Sequence, residues 1–326
     1  MSTTPDDLAR ISIVVPVYQG ERTLEALVAE VVPLTRRSTT SGRRPFEVVE
    51  MILVHDGAID RSDEVMDRLA ETHPFVKTLW LSRNFGQHPA TLAGMASSAG
   101  DWVVTLDEDG QHDPADLARL LDRAHETGAS LVYARPANPP PHSALRNLLT
   151  RLAKFASGSI VGSRTVGRFH SYRLVRSDIA RSLAAYCGHG VFLDVALSWV
   201  VSAVEQCSVP MRSERGRSSG YSLGALISHF WRLILTAGTR PLRVISILGS
   251  LSILAAIAVS AAAIYGKMRH EIPVPGWTSM IIVVCFFSGV ILFSLGVIAE
   301  YLGVTLTMAM GKPLYVIVPR RKVPKP

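Results

Sequence analysis

Cysteine is scarce in this 326-residue chain, where Cys187, Cys207 and Cys285 lie far apart. They have neither metal-ligand spacing nor a disulfide framework, which leaves them as packing residues. Acidic side chains are the minority, 27 against 34 Lys and Arg, for a formal net charge of +7. Such a balance can serve nucleic acid, but RNA-binding aromatic signatures and zinc spacings are missing, so no nucleic-acid partner is expected. Internal repeats are lacking too, and no signal segment opens the chain, so the N-terminus is predicted to be soluble.

Charge is absent altogether from residues 244–266 and 273–299. About 23 residues at ~1.5 Å rise give roughly 34 Å, enough to cross a bilayer core, and a two-helix transmembrane hairpin is predicted. Trp277 and Tyr301 stand near the two ends of the second stretch as interfacial anchors. Arg232, Arg240 and Arg243 precede the hairpin and Lys312, Arg320, Arg321, Lys322 and Lys325 follow it, against Lys267 and Arg269 in the connecting loop. This asymmetry predicts an inner-membrane, multi-pass protein with both termini and the sheet domain cytoplasmic. The membrane is thus the partner that the basic charge fits.

What the chain does have is an apolar run, Trp102-Val103-Val104-Thr105-Leu106, that breaks at once into Asp107, Glu108 and Asp109. A short hydrophobic run reads as a buried strand, and parallel α/β sheets place their ligands at the carboxyl ends of strands. Two Asp separated by one residue can face one divalent cation, and hard oxygen ligands favour Mg²⁺ or Mn²⁺ with substrate phosphates completing the shell. The implied substrate is a nucleotide diphosphate. The same residues also read as a solvated acidic turn before a helix near Pro114 capped by Asp113.

Strands are predicted at 11–17, 48–54, 76–81, 102–106 and 130–134, and helices at 21–34, 60–72, 89–98 and 114–127. This alternation implies an α/β domain with a mostly parallel sheet. Tyr18, His55-Asp56, Arg83-Asn84 and Asp107–Asp109 each follow a strand, so they should gather on one rim. Residues 137–142, rich in proline, end the sheet region. Beyond them, apolar residues recur at helical spacing from Leu145 to Ala156 and again over 223–235, each with basic flanks, and are predicted as interfacial helices. The division is 1–136 for the sheet domain, 137–240 for a juxtamembrane region and 241–326 for the hairpin and basic tail.

Val14-Val15-Pro16-Val17-Tyr18, Asp56-Gly57-Ala58-Ile59-Asp60, Arg83-Asn84-Phe85-Gly86-Gln87-His88 and Asp107-Glu108-Asp109-Gly110-Gln111 follow one another at family spacing. Val274-Pro275-Gly276-Trp277, Glu300-Tyr301-Leu302-Gly303 and Lys312-Pro313-Leu314-Tyr315 follow in the C-terminal part. In these blocks the chain resembles glycosyltransferase family two, and within it the polyprenyl-phosphate sugar transferases, over about 11–318. The resemblance implies a nucleotide-sugar-binding domain of GT-A type. It also implies inverting transfer of a sugar from a nucleotide-sugar, a UDP-sugar foremost, to a polyprenyl phosphate acceptor. Pro16, Tyr18, Glu21, Asp56, Asp107 and Glu108 would then hold the nucleotide, and Asp107, Asp109 and Gln111 the metal. Arg135, Arg146, Arg215 and His170 would meet the acceptor phosphate, with Asp107, Asp109 and Arg135 as the catalytic set. Homo-oligomers assembled through membrane helices are compatible with it.

The chain departs from the family pattern in several places. His55 replaces the first Asp of the Asp-Asp-Gly-Ser turn, Ala58 its Ser, and Gly20 a frequent Glu. The family's proposed base, an Asp before an Arg-Leu pair, has His170 or Ser171 in its place. These changes motivate a second reading, an inactive relative serving as a membrane scaffold or partner subunit. Chemistry answers the lost base: a lipid phosphate is largely ionised at neutral pH, its second pKa being near 6, and needs no proton removed.

Overall fold

The computed structural model describes residues 8–137, 169–188, 191–212 and 276–320, with scattered helical positions between 245 and 265. Met1–Gly158, Ser163–Ser222 and Pro313–Pro326 form one compact unit, and Ser159–Gly162 with Leu223–Lys312 form another. The C-terminal residues therefore group with the sheet and not with the apolar helix that precedes them.

In the first unit the described elements are β1 (Ala9–Val17), α1 (Leu24–Val31), β2 (Ser38–Thr39), β3 (Pro45–His55), α2 (Ser62–Thr72), β4 (Val76–Trp80), α3 (Gln87–Ala96), β5 (Trp102–Thr105), α4 (Leu117–Thr127), β6 (Leu131–Pro136), β7 (Arg173–Arg176), α5 (Ser177–Tyr186), α6 (Leu193–Val200) and β8 (Val204–Val209). The strands make one sheet in the order β2-β3-β1-β5-β7-β6-β8, with β4 also on β3. β1, β3, β4 and β5 run parallel, as the alternation predicts. However, β7 lies antiparallel between β5 and β6, so the sheet is mixed where a mostly parallel one was expected.

Period-two alternation assigns each strand residue to a layer. On β1, Ile11, Ile13, Val15 and Val17 face the core formed with Leu24, Leu27, Val28 and Val31 of α1, Val65, Met66 and Leu69 of α2, and Leu117, Leu120, Leu121 and Ala124 of α4. Val14, with Ile52 and Val54 of β3, faces the opposite layer, built from α3, α5 and α6. The helix residues recur three and four apart, which is the apolar stripe a helix needs to cover a sheet.

One register shift carries a polar staple. β3 presents Phe46 and Val48 to the first layer but then Met51 and Leu53, because the β1–β3 pairing slips between Ile11 and Ser12. The extra residue is Val49, and its effect is to put Glu50 opposite Ser12. The buried Glu50 carboxylate accepts hydrogen bonds from Ser12 Oγ at 2.6 Å, Ala99 N at 2.6 Å and Lys77 Nζ at 2.5 Å. Ser12 Oγ in turn receives Gly100 N at 2.8 Å. One carboxylate thus ties β1, β3, β4 and the turn before β5 together.

The chain returns to this sheet after the apolar helix. Ser82 N donates to Val316 O and Val318 N to Trp80 O, each at 2.9 Å, so residues 316–318 cover the open side of β4. Arg320 lies over the Trp80 ring at 4.7 Å and pairs with Asp63 at 3.6 Å and with Asp67. Arg320, counted above among charges that orient the chain at a membrane, is thus engaged by carboxylates of α2. His55 also lies against Trp80, at 4.8 Å between ring centroids, which gives this departure from the family turn a packing role.

In the second unit, α7 (Trp277–Ala309) is 33 residues long. Within it, Phe286–Ala309 is the one segment among the described residues long and apolar enough to cross a membrane. Phe286, Leu292, Phe293, Leu302 and Leu306 are all exposed along it, an apolar surface that water does not favour. About half of the first predicted span lies outside the described residues, and both predicted interfacial helices lie wholly outside them. Cys187 and Cys207 are free thiols, and burial pushes the Cys187 thiol up to about 11, in keeping with a packing role.

Two outcomes follow from these contacts. Burial alone would raise the Glu50 carboxyl, but hydrogen bonds from Lys77, Ser12 and Ala99 outweigh it and hold it below the usual glutamate value. A depressed carboxylate contributes stability above its unfolded pKa and loses it as pH falls through the folded value. Glu50→Gln is therefore expected to cost ~1.5–3 kcal/mol at pH 7, and the loss should shrink below about pH 4. Thermal unfolding at both pH values checks this; equal losses would show that charge is not what binds the staple. Ending the chain at Lys312 should uncover the β4 edge, lower the melting midpoint and promote aggregation, whereas Arg320→Ala alone should cost under ~1 kcal/mol. An unshifted midpoint in the truncated chain would show that residues 313–320 add nothing to the sheet.

Candidate active site

Parallel β1, β3, β4 and β5 end on one edge, so Tyr18, His55-Asp56, Arg83-Asn84 and Asp107–Asp109 gather there as expected. The three consecutive acids at the end of β5 are used differently. Glu108 turns to β1, its carboxylate accepting Tyr18 N at 3.0 Å and Gln19 N at 2.8 Å. A Cβ on Gly20 would lie 2.8 Å from Glu108 Oε2 and 2.7 Å from Leu24 Cγ, so glycine at this departure from the family pattern admits the carboxylate.

Asp107 accepts Gln87 Nε2 at 2.6 Å on Oδ1 and Ser171 Oγ at 2.5 Å on Oδ2. Burial raises its carboxyl above the ordinary aspartate value, and the charge of Asp109 pushes the same way, against Ser171, His112 and Arg173. Asp109 Oδ1 accepts Gln111 N at 3.0 Å. Asp113 Oδ1 caps the next turn through Ala115 N at 2.9 Å. The Asp113 cap of the acidic-turn reading is therefore present.

Asp56, at 3% exposure, is enclosed. Its two oxygens accept Phe85 N at 2.7 Å and Gly86 N at 2.8 Å, and burial raises its carboxyl against those two bonds. Gly57 follows at φ +65°, where a Cβ would meet Asn84 N at 2.8 Å; only glycine fits that turn readily. Glu21 joins the same region through backbone, its N–H donating to Asp60 Oδ2 at 3.1 Å and its Oε2 accepting Arg61 N at 3.3 Å. Tyr18 is exposed and Pro16 half-buried, leaving both accessible at the rim.

Several residues that the sequence reading passed over complete the site. Arg212 donates to Glu30 at 2.8 and 2.9 Å and to Asp113 at 2.5 Å, and its backbone N–H to Gln111 O at 3.0 Å. Arg173 is buried, with Nε donating to Thr105 Oγ1 at 3.1 Å and Nη1 to Asp194, whose Oδ1 also accepts Tyr133 OH at 2.8 Å. His112 packs 5.0 Å from Tyr172, and burial lowers its imidazole against the pull of Asp107, Asp109 and Asp116. Local spacing announces none of these; the one available signal was Arg173 inside the Arg-Leu pair.

Of the acceptor candidates, Arg135 is exposed near the end of β6, in register with Ser208, and His170 is half-buried just before β7. Arg146 and Arg215 lie outside the described residues. Among the described residues no three His, Cys, Asp or Glu side chains form a metal cage. Two neighbouring carboxylates, one of them raised by burial and further by its neighbour's charge, nonetheless suit a divalent cation that takes its remaining ligands from water and phosphate.

Comparison with known proteins accords with this geometry. The signature of Glycosyl transferase family 2 matches residues 12–184. Undecaprenyl-phosphate 4-deoxy-4-formamido-L-arabinose transferase of Pseudomonas paraeruginosa is 30% identical over 324 residues, covering 97% of this chain and 91% of that protein. Bactoprenol glucosyl transferase of Shigella phage SfX is 26% identical over 322 residues, covering 96% of this chain and all of that protein. Among solved structures, glucosyl-3-phosphoglycerate synthase of Mycobacterium tuberculosis, in complex with phosphoglyceric acid, has the same fold. Its TM-score is 0.51 at 19% identity, over 71% of this chain and 80% of that one. A signature over more than half the chain, on a mixed α/β sheet with acids at the carboxyl end of its central strand, establishes that this chain belongs to glycosyl transferase family 2.

Proposed function

We propose that the protein transfers a sugar from a nucleotide-sugar, a UDP-sugar foremost, to polyprenyl phosphate at the cytoplasmic membrane face, inverting the anomeric carbon. The observation that carries this reading is the pair Asp107 and Asp109 at the rim of a family 2 sheet, in a chain whose near full-length relatives bear the names of polyprenyl-phosphate sugar transferases. The apolar α7 supports a membrane location for the acceptor.

An oxygen of the acceptor phosphate attacks the anomeric carbon as the bond to the diphosphate breaks, its electron pair leaving with the nucleoside diphosphate. No proton has to be removed from the nucleophile, since the phosphate is largely ionised at neutral pH. Positioning and neutralisation of charge then carry the catalytic burden. Asp107, Asp109 and Gln111 would hold a Mg²⁺ or Mn²⁺ ion, which would neutralise charge on the leaving diphosphate. Tyr18 and Pro16 offer accessible surface to the nucleoside, while Asp56, Glu108 and Glu21 shape that pocket through the backbones they hold. Arg135 and His170 would meet the acceptor phosphate, the role that the family resemblance also gives to Arg146 and Arg215. The scaffold reading is not favoured, because a scaffold has no use for individually oriented rim carboxylates.

Purified protein with Mn²⁺, undecaprenyl phosphate and a panel of nucleotide-sugars is expected to form a glycolipid, and Asp109→Asn to lose most of that activity without unfolding. Absence of product from every donor, or near-native turnover by the Asn variant at moderate metal, would count against the reading. Arg135→Ala should raise the KM for lipid phosphate about 10-fold, the low end for a charge-assisted contact because the side chain is exposed. A loss of nucleotide affinity with unchanged acceptor KM would move Arg135 to the donor site.

A further inference from the structure

We propose that Gln87 and Ser171 are positioning residues that hold the Asp107 carboxylate in the orientation a divalent cation requires, an inference that rests on the metal-assisted reading above. Each oxygen of Asp107 receives one side-chain donor, Gln87 Nε2 at 2.6 Å and Ser171 Oγ at 2.5 Å. An ionised carboxylate only accepts, so the hydroxyl proton of Ser171 lies toward Asp107. Ser171 is thereby unsuited to act as the base that the family places before its Arg-Leu pair. Each oxygen keeps a second lone-pair direction for a cation.

Both donors are themselves fixed by the frame. Gln87 is the first residue of α3 and follows Gly86, whose N–H is held by Asp56 at 2.8 Å. The Ser171 carbonyl accepts Thr105 Oγ1 at 2.5 Å and Arg173 Nε at 3.3 Å, and Thr105 and Arg173 face each other in the β5–β7 register. Two arms, one from β3 through Asp56 and one from β7 through Arg173, thus converge on one carboxylate. Hydrogen bonds to a ligating carboxylate typically change metal affinity or activity 10- to 100-fold when removed.

The test is Mn²⁺ binding to the full-length protein with UDP present, read from the electron paramagnetic resonance of free Mn²⁺, alongside thermal unfolding. Gln87→Ala and Ser171→Ala are each expected to weaken Mn²⁺ binding about 10- to 100-fold at an unchanged midpoint, and Ser171→Thr to restore the native value. Gln87 is exposed, so its variant carries the test if Ser171→Ala does not fold. Native affinity in the alanine variants, a loss that Ser171→Thr leaves unrepaired, or no Mn²⁺ binding by the native protein overturns the proposal. A native protein that binds Mn²⁺ through this clamp yet makes no glycolipid would instead count against transfer to polyprenyl phosphate and leave the clamp standing.

Discussion

Three consecutive acids at the end of β5 are the constraint around which the rest of the rim is arranged. Adjacent carboxylates repel, and a site that gathers them must give each its own donors or a cation. Glu108 accepts hydrogen bonds from the backbone N–H groups of Tyr18 and Gln19, and in the same act sets the path of the chain leaving β1. Asp107 is held by side chains from α3 and from the segment before β7, and Asp109 by the backbone of its own turn. One sequence triplet therefore connects three parts of the fold.

Around the triplet, buried polar groups work mostly on backbone rather than on solvent. Asp56 spends both oxygens on the Phe85–Gly86 backbone and so sets where α3 begins. Arg212 links α1, the Asp113 turn and the carbonyl of Gln111, while Arg173 and Asp194 form a buried pair beneath Thr105. Breaking one partner of such a pair is costly because the other charge is left enclosed. The accessible rim residues thus rest on a floor of enclosed, paired polar groups.

The C-terminal return adds a second dependence on distant sequence. Residues 316–318 pair beside Trp80 and Ser82, just before the Arg83–Gly86 loop that Asp56 holds. The edge of β4 is therefore covered only once residues 316–318 have been made. His55 and Arg320 meet on the same Trp80 ring, so a departure at position 55 and a basic tail residue belong to one packing arrangement.

Much of this was legible in the sequence, for a local reason. β1, β3, β4 and β5 are short apolar runs that end in polar residues, and strand alternation with helices dictates that parallel strands bring those ends to one edge. Hence the rim, the place of the three acids on it and the Asp113 cap could be read before any coordinates. β2, β7 and β8 could not. β2 is two residues long, β7 reads Arg-Leu-Val-Arg, and β8 carries Glu, Gln and Ser, so their strand character comes from partners already in place. The antiparallel insertion of β7 that makes the sheet mixed was hidden for the same reason. Only the tertiary structure decided which acid faces which donor, because Glu108 and Tyr18, Asp107 and Ser171, and Arg212 and Glu30 are 90, 64 and 182 residues apart. Local periodicity carries no information about hydrogen bonds that form only once the sheet has folded.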